Sequence, residues 1–236
     1  MVIKAVVFDI GGVCVGSPLH AINEYEKSLR LPHNYLNFMI AKWKSPSPMN
    51  LLECGQIATI EPEFFTLFER HLSDPEGYEA FFGSPFCPKD AVKDVAPTID
   101  GRKLWGMMME AASVPNTPLL DIIRDLKASG KYKVWALTNN FPAQLETDSL
   151  IHPLFDRIIG SVQMKMRKPD PRLYQYLVEE LDLPTDEIVF LDDIGANLKA
   201  AQKLGIHTIQ VDFRTTPVAL KKLNHLLESG GVKAQL

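Results

Sequence analysis

The sequence lacks the features that mark several large classes of protein. It contains 3 cysteines in 236 residues, and Cys14, Cys54 and Cys87 lack the paired spacing of a zinc site or a disulfide framework. No apolar run approaches the ~20 residues that a membrane-spanning helix needs. The N-terminus also lacks the charged and then apolar segments of a signal peptide. We therefore expect a cytoplasmic protein with buried, unpaired thiols and no membrane span.

The sequence also lacks an excess of positive charge. Lysine and arginine total 25 against 29 aspartate and glutamate, for a formal net charge of -4. Binding to nucleic-acid phosphates favours clustered basic residues, so we expect no nucleic-acid partner. Hydrophobic residues make up 46% and charged residues 23% of the chain, which is ordinary for a globular protein of one or two domains. An oligomer is compatible with this composition.

Four short runs rich in Val, Ile and Phe stand out, and polar residues follow each of them. Continuous apolar runs of this length are typical of strands that are buried on both faces, as in a parallel sheet. The predicted strands are Ile3–Phe8, Lys133–Leu137, Ile188–Leu191 and Ile206–Val211.

Helix signals separate the later strands. Thr117 followed by Pro118 predicts the start of a helix, and Gly130 predicts its end. Pro171 opens a second predicted helix, and Asn197 is predicted to cap a third. Strands that alternate with helices in this way predict an α/β fold with a doubly wound, Rossmann-type parallel sheet.

The stretch between the first strand and the rest of the predicted sheet has a different pattern. It is rich in aromatic residues, and its apolar spacing is helical. We interpret it as a smaller domain inserted into the first, with an α/β core over 1–14 and 112–236 and a helical domain over 15–111. The helices predicted within the insertion are Tyr35–Trp43, Glu61–Leu72 and Tyr78–Phe82.

Polar side chains gather at the predicted strand ends. Ligands of an open α/β sheet bind outside the carboxyl ends of the strands. Carboxylates that meet at one edge repel each other unless a cation lies among them, and oxygen ligands suit Mg²⁺. Lys168, in a turn, adds a positive charge for an anion such as phosphate. The candidate residues at the strand ends are Asp9, Thr138, Asn139, Asp192 and Asp193.

Four segments that contain these residues resemble the ordered motifs of one enzyme superfamily. They are Phe-Asp-Ile-Gly-Gly-Val (8–13), Leu-Thr-Asn-Asn (137–140), Arg-Lys-Pro-Asp-Pro-Arg-Leu-Tyr (167–174) and Val-Phe-Leu-Asp-Asp-Ile-Gly-Ala-Asn-Leu-Lys (189–199). The chain resembles a hydrolase of the haloacid dehalogenase (HAD) superfamily, with a helical cap domain inserted into a HAD-like core after the first motif. It is similar in particular to the N-terminal phosphatase domain of soluble epoxide hydrolases, so we expect phosphatase chemistry and no epoxide hydrolysis.

The resemblance implies a nucleophile and a metal site. Asp9 would attack phosphorus and form an aspartyl-phosphate, which splits one difficult displacement into two easier ones. Mg²⁺ would be held by Asp9, by the main-chain carbonyl of Gly11 and by Asp193. The implied function is a Mg²⁺-dependent phosphatase whose substrate is a small phosphorylated metabolite.

The resemblance also implies which residues surround the phosphoryl group. Lys168 would be catalytic, because its charge and that of the metal neutralise the phosphoryl oxygens. Thr138 and the backbone of Asn139 would bind the same oxygens of the substrate. Asp192 would lie behind the metal ligands and position Asp193 and Lys168.

Gly11 departs from the pattern of the resembling phosphatases. They usually carry a second aspartate two residues after the nucleophile, which protonates the leaving group and then activates water. General acid–base catalysis is worth about 10²–10⁴ in rate, so its loss would slow the hydrolysis of a phosphate ester without forbidding it.

Two other functions remain open because of Gly11. The first is a dehalogenase-like hydrolase in which Asp9 attacks carbon, a reaction that needs no acid for the leaving group. Dehalogenases of the superfamily need no metal, however, and typically lack the acidic pair that this chain has at Asp192 and Asp193. The second is a binding or regulatory module whose catalysis has weakened, for which Gly11 is the only support.

Overall fold

A parallel sheet of five strands forms the centre of the computed structural model, which describes residues 2–142 and 150–229. The strands are β1 (Ala5–Phe8), β2 (Lys133–Thr138), β3 (Arg157–Gly160), β4 (Ile188–Asp192) and β5 (His207–Gln210). Their order is β3-β2-β1-β4-β5, and all neighbouring pairs are parallel. The central strand β1 is therefore flanked by β2 and β4, and the carboxyl ends of all three meet at one edge.

Helices cover both faces of this sheet and also form the whole insertion after β1. Those of the insertion are α1 (Pro18–Ser28), α2 (Tyr35–Ala41), α3 (Pro48–Glu53), α4 (Phe65–Leu72), α5 (Pro75–Phe82) and α6 (Gly101–Ala112). The later ones are α7 (Thr117–Ser129), α8 (Ser161–Met164), α9 (Pro171–Leu181), α10 (Gly195–Lys203) and α11 (Thr216–Ser229). Within the described residues, no helix has the length and apolar character that crossing a membrane requires.

The alternation of side chains along β1 explains why both faces are covered. Val6 and Phe8 pack with residues of α7 and α11, whereas Ala5 and Val7 pack with residues of α9 and α10. Successive side chains of a strand point to opposite faces, and every residue of β1 is buried. This two-sided core confirms the predicted α/β fold with a doubly wound parallel sheet.

Three local predictions from the sequence differ from the structure. The strand Arg157–Gly160 was not predicted, because it is a short edge strand with only two apolar residues. The helix α7 has Asn116 rather than Thr117 as its N-cap. Asn197 does not cap α10, which begins at Gly195, because its side chain is instead directed to a neighbouring carboxylate described below. Gly130 and Pro171 mark a helix end and a helix start, as predicted.

The insertion has a hydrophobic core of its own. Within residues 15–111, all of which are described, the regular elements are helical, and they enclose a cluster separate from the two clusters of the sheet. Phe64 stacks on Phe68 with ring centroids 4.8 Å apart and meets the edge of Trp105 at 5.1 Å. Phe141, from the loop after β2, is part of the same cluster. The division into a core and a cap at 15 and 111 stays a prediction, and parts of the predicted core, residue 1 and residues 143–149 and 230–236, lie outside the described residues.

The insertion leaves the sheet and returns to it at neighbouring points. The backbone N–H of Gly16 donates to the carbonyl of Val114 at 2.8 Å. Asn116 is buried, and its side-chain amide donates to the carbonyl of Val13 at 2.8 Å and to the Thr216 hydroxyl at 2.9 Å. These bonds fix the loop after β1, which carries the first candidate site residues.

The three cysteines differ in their burial. All three are free, as expected, and Cys14 is buried in the core of the sheet. Cys54 and Cys87 are only half-buried, which corrects the expectation of three buried thiols. Both follow short helices of the insertion, where connecting segments run along the surface.

A buried carboxylate of α1 organises the start of α2. Glu26 is buried, and its two oxygens accept the backbone N–H groups of Asn34 at 2.8 Å and Leu36 at 2.9 Å. The first N–H groups of a helix have no partner within it, so Glu26 satisfies donors that would otherwise be buried unpaired. Burial raises the pKa of Glu26, which these bonds partly offset.

Replacing Glu26 by Gln should destabilise the fold. The Gln amide turns an N–H donor toward one of the two backbone donors, and a buried group left unpaired costs about 1–3 kcal/mol. Glu24→Gln is the control, because Glu24 is exposed and pairs with Lys27, an interaction worth about 0–1 kcal/mol. Urea unfolding measures both variants. Equal stabilities would show that the Glu26 bonds contribute nothing net.

Candidate active site

A buried ammonium group joins two of the predicted site residues. Lys168 Nζ lies 2.8 Å from Asp9 Oδ2 and 2.7 Å from Asp192 Oδ2, and the Lys168 side chain is 0% exposed. A buried charge is tolerated only when it is paired. Burial alone would lower the pKa of Lys168, but the charges of Asp192 and Asp9 raise it above its ordinary value. Lys168 is therefore a fixed cation at this edge of the sheet.

The register of the central strands brings the two carboxylates together. Phe8 of β1 lies beside Leu191 of β4, and the N–H of Asp9 donates to the Leu191 carbonyl at 2.8 Å. Asp9 follows directly after β1, and Asp192 is the last residue of β4. The carboxylates are thus placed by backbone pairing, and Lys168 reaches them from the loop before α9.

Asp192 is held by two further donors. Its Oδ1 accepts the backbone N–H of Ile194 at 2.7 Å, and the Asn197 amide lies 3.0 Å from Oδ1 and 3.1 Å from Oδ2. Asp192 is fully buried, and Asn197 is only 2% exposed. The arrangement suits a residue that positions Lys168. The sequence prediction for Asn197 was a helix cap, although its place in the first turn after β4 was a signal for this contact.

The loop that carries Lys168 is fastened to the end of β2. The Lys168 N–H donates to Asn139 Oδ1 at 2.8 Å, and Asn139 Nδ2 donates to the Lys168 carbonyl at 3.2 Å. The predicted role of Asn139 concerns only its backbone and the substrate, so this pair of side-chain bonds is seen only in the structure. Thr138, the last residue of β2, is buried at the same edge, and its binding of substrate stays a prediction.

The two carboxylate oxygens of Asp193 differ in their partners. Its Oδ2 accepts the Ser17 hydroxyl at 3.0 Å, whereas its Oδ1 is buried and has no hydrogen-bond partner among the residues that the structure describes. Asp9, Asp192 and Asp193 each offer a carboxylate oxygen within 4.8 Å of the others. Burial, with a contribution from the charge of Asp192, raises the pKa of Asp193 to about 6.

The net charge of the cluster favours the binding of a cation. Burial raises the pKa of Asp9 well above its usual range, and the charge of Lys168 opposes that rise. Three carboxylates share one ammonium in this cluster, so negative charge is in excess. Mg²⁺ binds oxygen ligands in proteins. The predicted ligands Asp9 and Asp193 supply such oxygens and therefore fit this metal.

Two consecutive glycines that follow Asp9 and Ile10 have opposite constraints. Gly12 has a φ of +76°, and a Cβ there would lie 2.1 Å from Asp193 Oδ2, so any side chain would displace a predicted metal ligand. At Gly11 a Cβ would meet no atom within 4 Å, and its φ is not in the left-handed region. The backbone therefore requires glycine at position 12 and does not require it at position 11.

A protein-family model matches most of the chain. The model for haloacid dehalogenase-like hydrolases matches residues 3–205, which include all of the candidate site residues. The chain belongs to this family. The predicted resemblance to HAD hydrolases is thereby confirmed, and the elements described above form a HAD-like fold.

Curated relatives match the HAD-like hydrolase over almost its whole length. Acyl-CoA dehydrogenase family member 10 of Mus musculus is 31% identical over 95% of this chain and 19% of its own length. Bifunctional epoxide hydrolase 2 of Sus scrofa is 28% identical over 94% of this chain and 38% of its own. The chain thus spans well under half the length of these relatives. Sesquiterpene phosphatase astK of Aspergillus oryzae is 32% identical over 74% of this chain and 85% of its own.

Solved structures share the HAD-like fold at low sequence identity. A HAD family enzyme of Bacteroides thetaiotaomicron, solved as a magnesium complex, has a TM-score of 0.56 and 22% identity over 90% of this chain and 94% of that one. A dehalogenase solved with an intermediate has a TM-score of 0.54 and 18% identity over 95% and 97% of the two chains. At these identities the likeness concerns the fold alone.

The helical insertion of the HAD-like hydrolase also meets the rest of the chain at two further places. Glu53, at the end of α3, pairs with Arg167, the residue before Lys168, at 2.5 Å. Burial raises the pKa of Glu53, which the charges of Arg167 and Lys168 partly offset. The local sequence gives no signal for this pair, because the two residues are far apart in the chain.

An apolar cavity of about 570 Å³ is the second place. Ile10, directly after the nucleophile, and Phe141, just after the end of β2, line it from the sheet side. Trp105 and Met109 of α6 line it from the insertion, and exposed residues at the start of α7 lie at its mouth. Volumes of about 300–1,000 Å³ are usual for small-molecule sites.

Replacing Gly12 by Ala should destabilise the HAD-like hydrolase, whereas Gly11→Ala should not. Where the backbone permits it, Gly→Ala stabilises a fold by ~0.4–1 kcal/mol, whereas at a left-handed position it destabilises the fold by more than that. At position 12 the alanine also displaces Asp193. Denaturant unfolding should show a loss for Gly12→Ala and no loss or a small gain for Gly11→Ala. Equal effects at both positions would contradict the difference in backbone constraint.

Proposed function

We propose that this HAD-like hydrolase is a phosphatase that acts through an aspartyl-phosphate on Asp9. The observation that carries the proposal is the buried Lys168 ammonium between Asp9 and Asp192, beside the unsatisfied Oδ1 of Asp193. A fixed cation next to an excess of carboxylates suits an anionic substrate that arrives with a divalent metal.

In this proposal, the residues of the chain divide the work of phosphoryl transfer. A carboxylate oxygen of Asp9 forms a bond to phosphorus while the bond to the leaving group breaks, and water then releases phosphate and restores Asp9. Lys168 offsets the charge on the phosphoryl oxygens and keeps Asp9 in place. Thr138 and the backbone of Asn139 bind the same oxygens. Asp192 positions Lys168, with Asn197 behind it.

Mg²⁺ is the metal that the donor set suits. Held by Asp9, Asp193 and the carbonyl of Gly11, it would supply positive charge to the phosphoryl oxygens. The unsatisfied Asp193 Oδ1 supports this assignment, as does the magnesium complex of the Bacteroides thetaiotaomicron enzyme with the same fold. Ser17, at the start of the insertion, would orient Asp193 for the metal through its hydroxyl.

We further propose that residues 15–111 act as a cap that selects a phosphorylated small molecule with an apolar group. The lining of the cavity of about 570 Å³ includes Ile10, the residue after Asp9 in the chain, together with Trp105, Met109 and Phe141. An apolar group of the substrate would be removed from water in this cavity. The phosphoryl group would not have to enter the insertion. The relative named as a sesquiterpene phosphatase supports an apolar substrate.

A dehalogenase-like reaction is the second candidate, and Gly11 is the observation that favours it. Attack of Asp9 on carbon expels a halide, which needs no proton, so the open space at Gly11 would cost nothing. Release of chloride from 2-chloropropionate without Mg²⁺, and no release of phosphate from any ester, would favour it over the phosphatase.

Replacing Asp9 by Asn should abolish phosphatase activity and leave the fold intact. The substitution removes the nucleophile but keeps its size, and Lys168 retains Asp192 as a partner. With p-nitrophenyl phosphate and Mg²⁺, kcat should fall by about 10³-fold or more. Asp125→Asn, an exposed change on α7, is the control and should match the wild type. Activity in Asp9→Asn comparable to the control would rule out the covalent mechanism, and activity in neither protein would favour a binding module.

Met109→Glu should weaken the binding of apolar phosphates selectively. A carboxylate in the apolar cavity must lose its water when an alkyl chain enters. Dodecyl phosphate and methyl phosphate are compared as inhibitors of p-nitrophenyl phosphate hydrolysis. The inhibition constant of dodecyl phosphate should rise about tenfold or more, while that of methyl phosphate stays the same.

Gly106→Glu is the matched control for the cavity. Gly106 lies on the same helix, and a Cβ there would meet no atom within 4 Å, so the charge is added outside the cavity lining. This variant should bind both inhibitors as the wild type does. An equal change for both inhibitors in Met109→Glu would contradict the assignment of the cavity to the apolar group.

A further inference from the structure

Position 11, two residues after Asp9 in the same loop, has no side chain that could donate a proton. Gly11 lies two residues after Asp9, a Cβ added to it would meet nothing within 4 Å, and its backbone is not left-handed. Neither packing nor φ explains the glycine. Its effect on the site is therefore chemical, because it removes a side chain at the place where a leaving group and an attacking water would need one.

The carboxylates nearest to Asp9 are engaged elsewhere. Asp192 and Asp193 are the acids whose charges act on Asp9. The oxygens of Asp192 accept bonds from Lys168, Ile194 and Asn197. Asp193 accepts the Ser17 hydroxyl through one oxygen, and its other oxygen is the proposed metal ligand. Neither is placed to exchange a proton with the substrate.

Other proton-bearing side chains in this region are also unsuited. Glu53 of the insertion is paired with Arg167. The Cys14 thiol is buried and donates to the Asp9 carbonyl at 3.2 Å, and burial raises its pKa. Tyr174 is fully buried under the site, and burial raises the pKa of its phenol as well. Among the described residues, these groups leave the position after Asp9 without a replacement acid.

We propose that this site takes phosphoryl donors whose leaving group departs as a stable anion, and that the aspartyl-phosphate on Asp9 then accumulates. The donors in question are acyl phosphates, phosphoanhydrides and aryl phosphates. The proposal rests on the phosphatase function above. It goes further by naming the class of bond that is broken and the step that limits turnover.

The two steps differ in their need for a proton. In the first, an Asp9 oxygen bonds to phosphorus, and the leaving group departs with the electron pair of the broken P–O bond as a carboxylate, phosphate or phenolate. In the second, water bonds to phosphorus, Asp9 leaves as a carboxylate, and the proton of the water passes to solvent. A donor with such a leaving group does not need an acid in the first step. In the second step the nucleophile is water whatever the donor, so the lack of a base slows that step for every donor.

Rapid mixing of the Mg²⁺-loaded protein with p-nitrophenyl phosphate tests the accumulation. We expect a burst of nitrophenolate close to one per active site, followed by slow turnover. Acid-quenched protein should carry one phosphoryl group by intact mass, lost on treatment with hydroxylamine and absent from Asp9→Asn. Acetyl phosphate should give the same adduct. Turnover without a burst or adduct would overturn this proposal and leave the phosphatase intact. No phosphate release and no adduct with any donor would overturn both.

Gly11→Asp provides the second arm of the test. An aspartate there supplies the missing acid and base, so the burst should disappear and the turnover of butyl phosphate should rise by up to about 10²–10⁴-fold. The matched control is Gly106→Asp on α6, where a Cβ is equally unobstructed, and it should keep the burst. If Gly11→Asp does not fold, the values of kcat/KM of the wild type across aryl phosphates of increasing leaving-group pKa decide, because kcat/KM reports the first step even when the second limits turnover. A steep fall supports the proposal, and a flat dependence overturns it.

Discussion

The ion pairs of one buried ammonium hold the candidate site together. Lys168 is 0% exposed and lies within 2.8 Å of Asp9 and 2.7 Å of Asp192. Removing either carboxylate would leave buried charge less well compensated, which is a large cost in a protein interior. The loops after β1 and β4 and the loop before α9 are therefore tied at one point. Hydrogen bonds between the Asn139 side chain and the Lys168 backbone also fix the loop before α9.

The same ammonium does not balance the carboxylates around it. Asp193 contributes a third carboxylate, and among the described residues one of its buried oxygens has no hydrogen-bond partner. A stable fold tolerates such an arrangement when a bound cation completes it, as metal sites commonly do. The family model and the sheet agree on the fold, and the excess of carboxylates agrees with the proposed metal.

The insertion and the sheet meet around an apolar cavity. Trp105 and Met109 line it from the insertion and Ile10, the residue after Asp9, from the sheet side, and Glu53 is paired with the residue that precedes Lys168. The residues of the insertion that line the cavity and the residues that pair with Lys168 thus belong to different parts of the chain. A substitution at Trp105 or Met109 therefore leaves the ion pairs of Lys168 in place. Gly11 is different, because it lies in the loop directly after Asp9.

Local sequence determined the strands of the central sheet and the residues at their ends, because short apolar runs form buried strands and the polar residues that follow them mark where each strand ends. Asp9, Lys168 and Asp193 were predicted in this way with the help of the family resemblance. The edge strand Arg157–Gly160 was missed, since two apolar residues carry too weak a pattern. Tertiary structure alone decided that Asn197 holds a carboxylate instead of capping a helix. It also decided that glycine is required at position 12 and not at position 11, because contacts between distant segments set the space around each backbone atom.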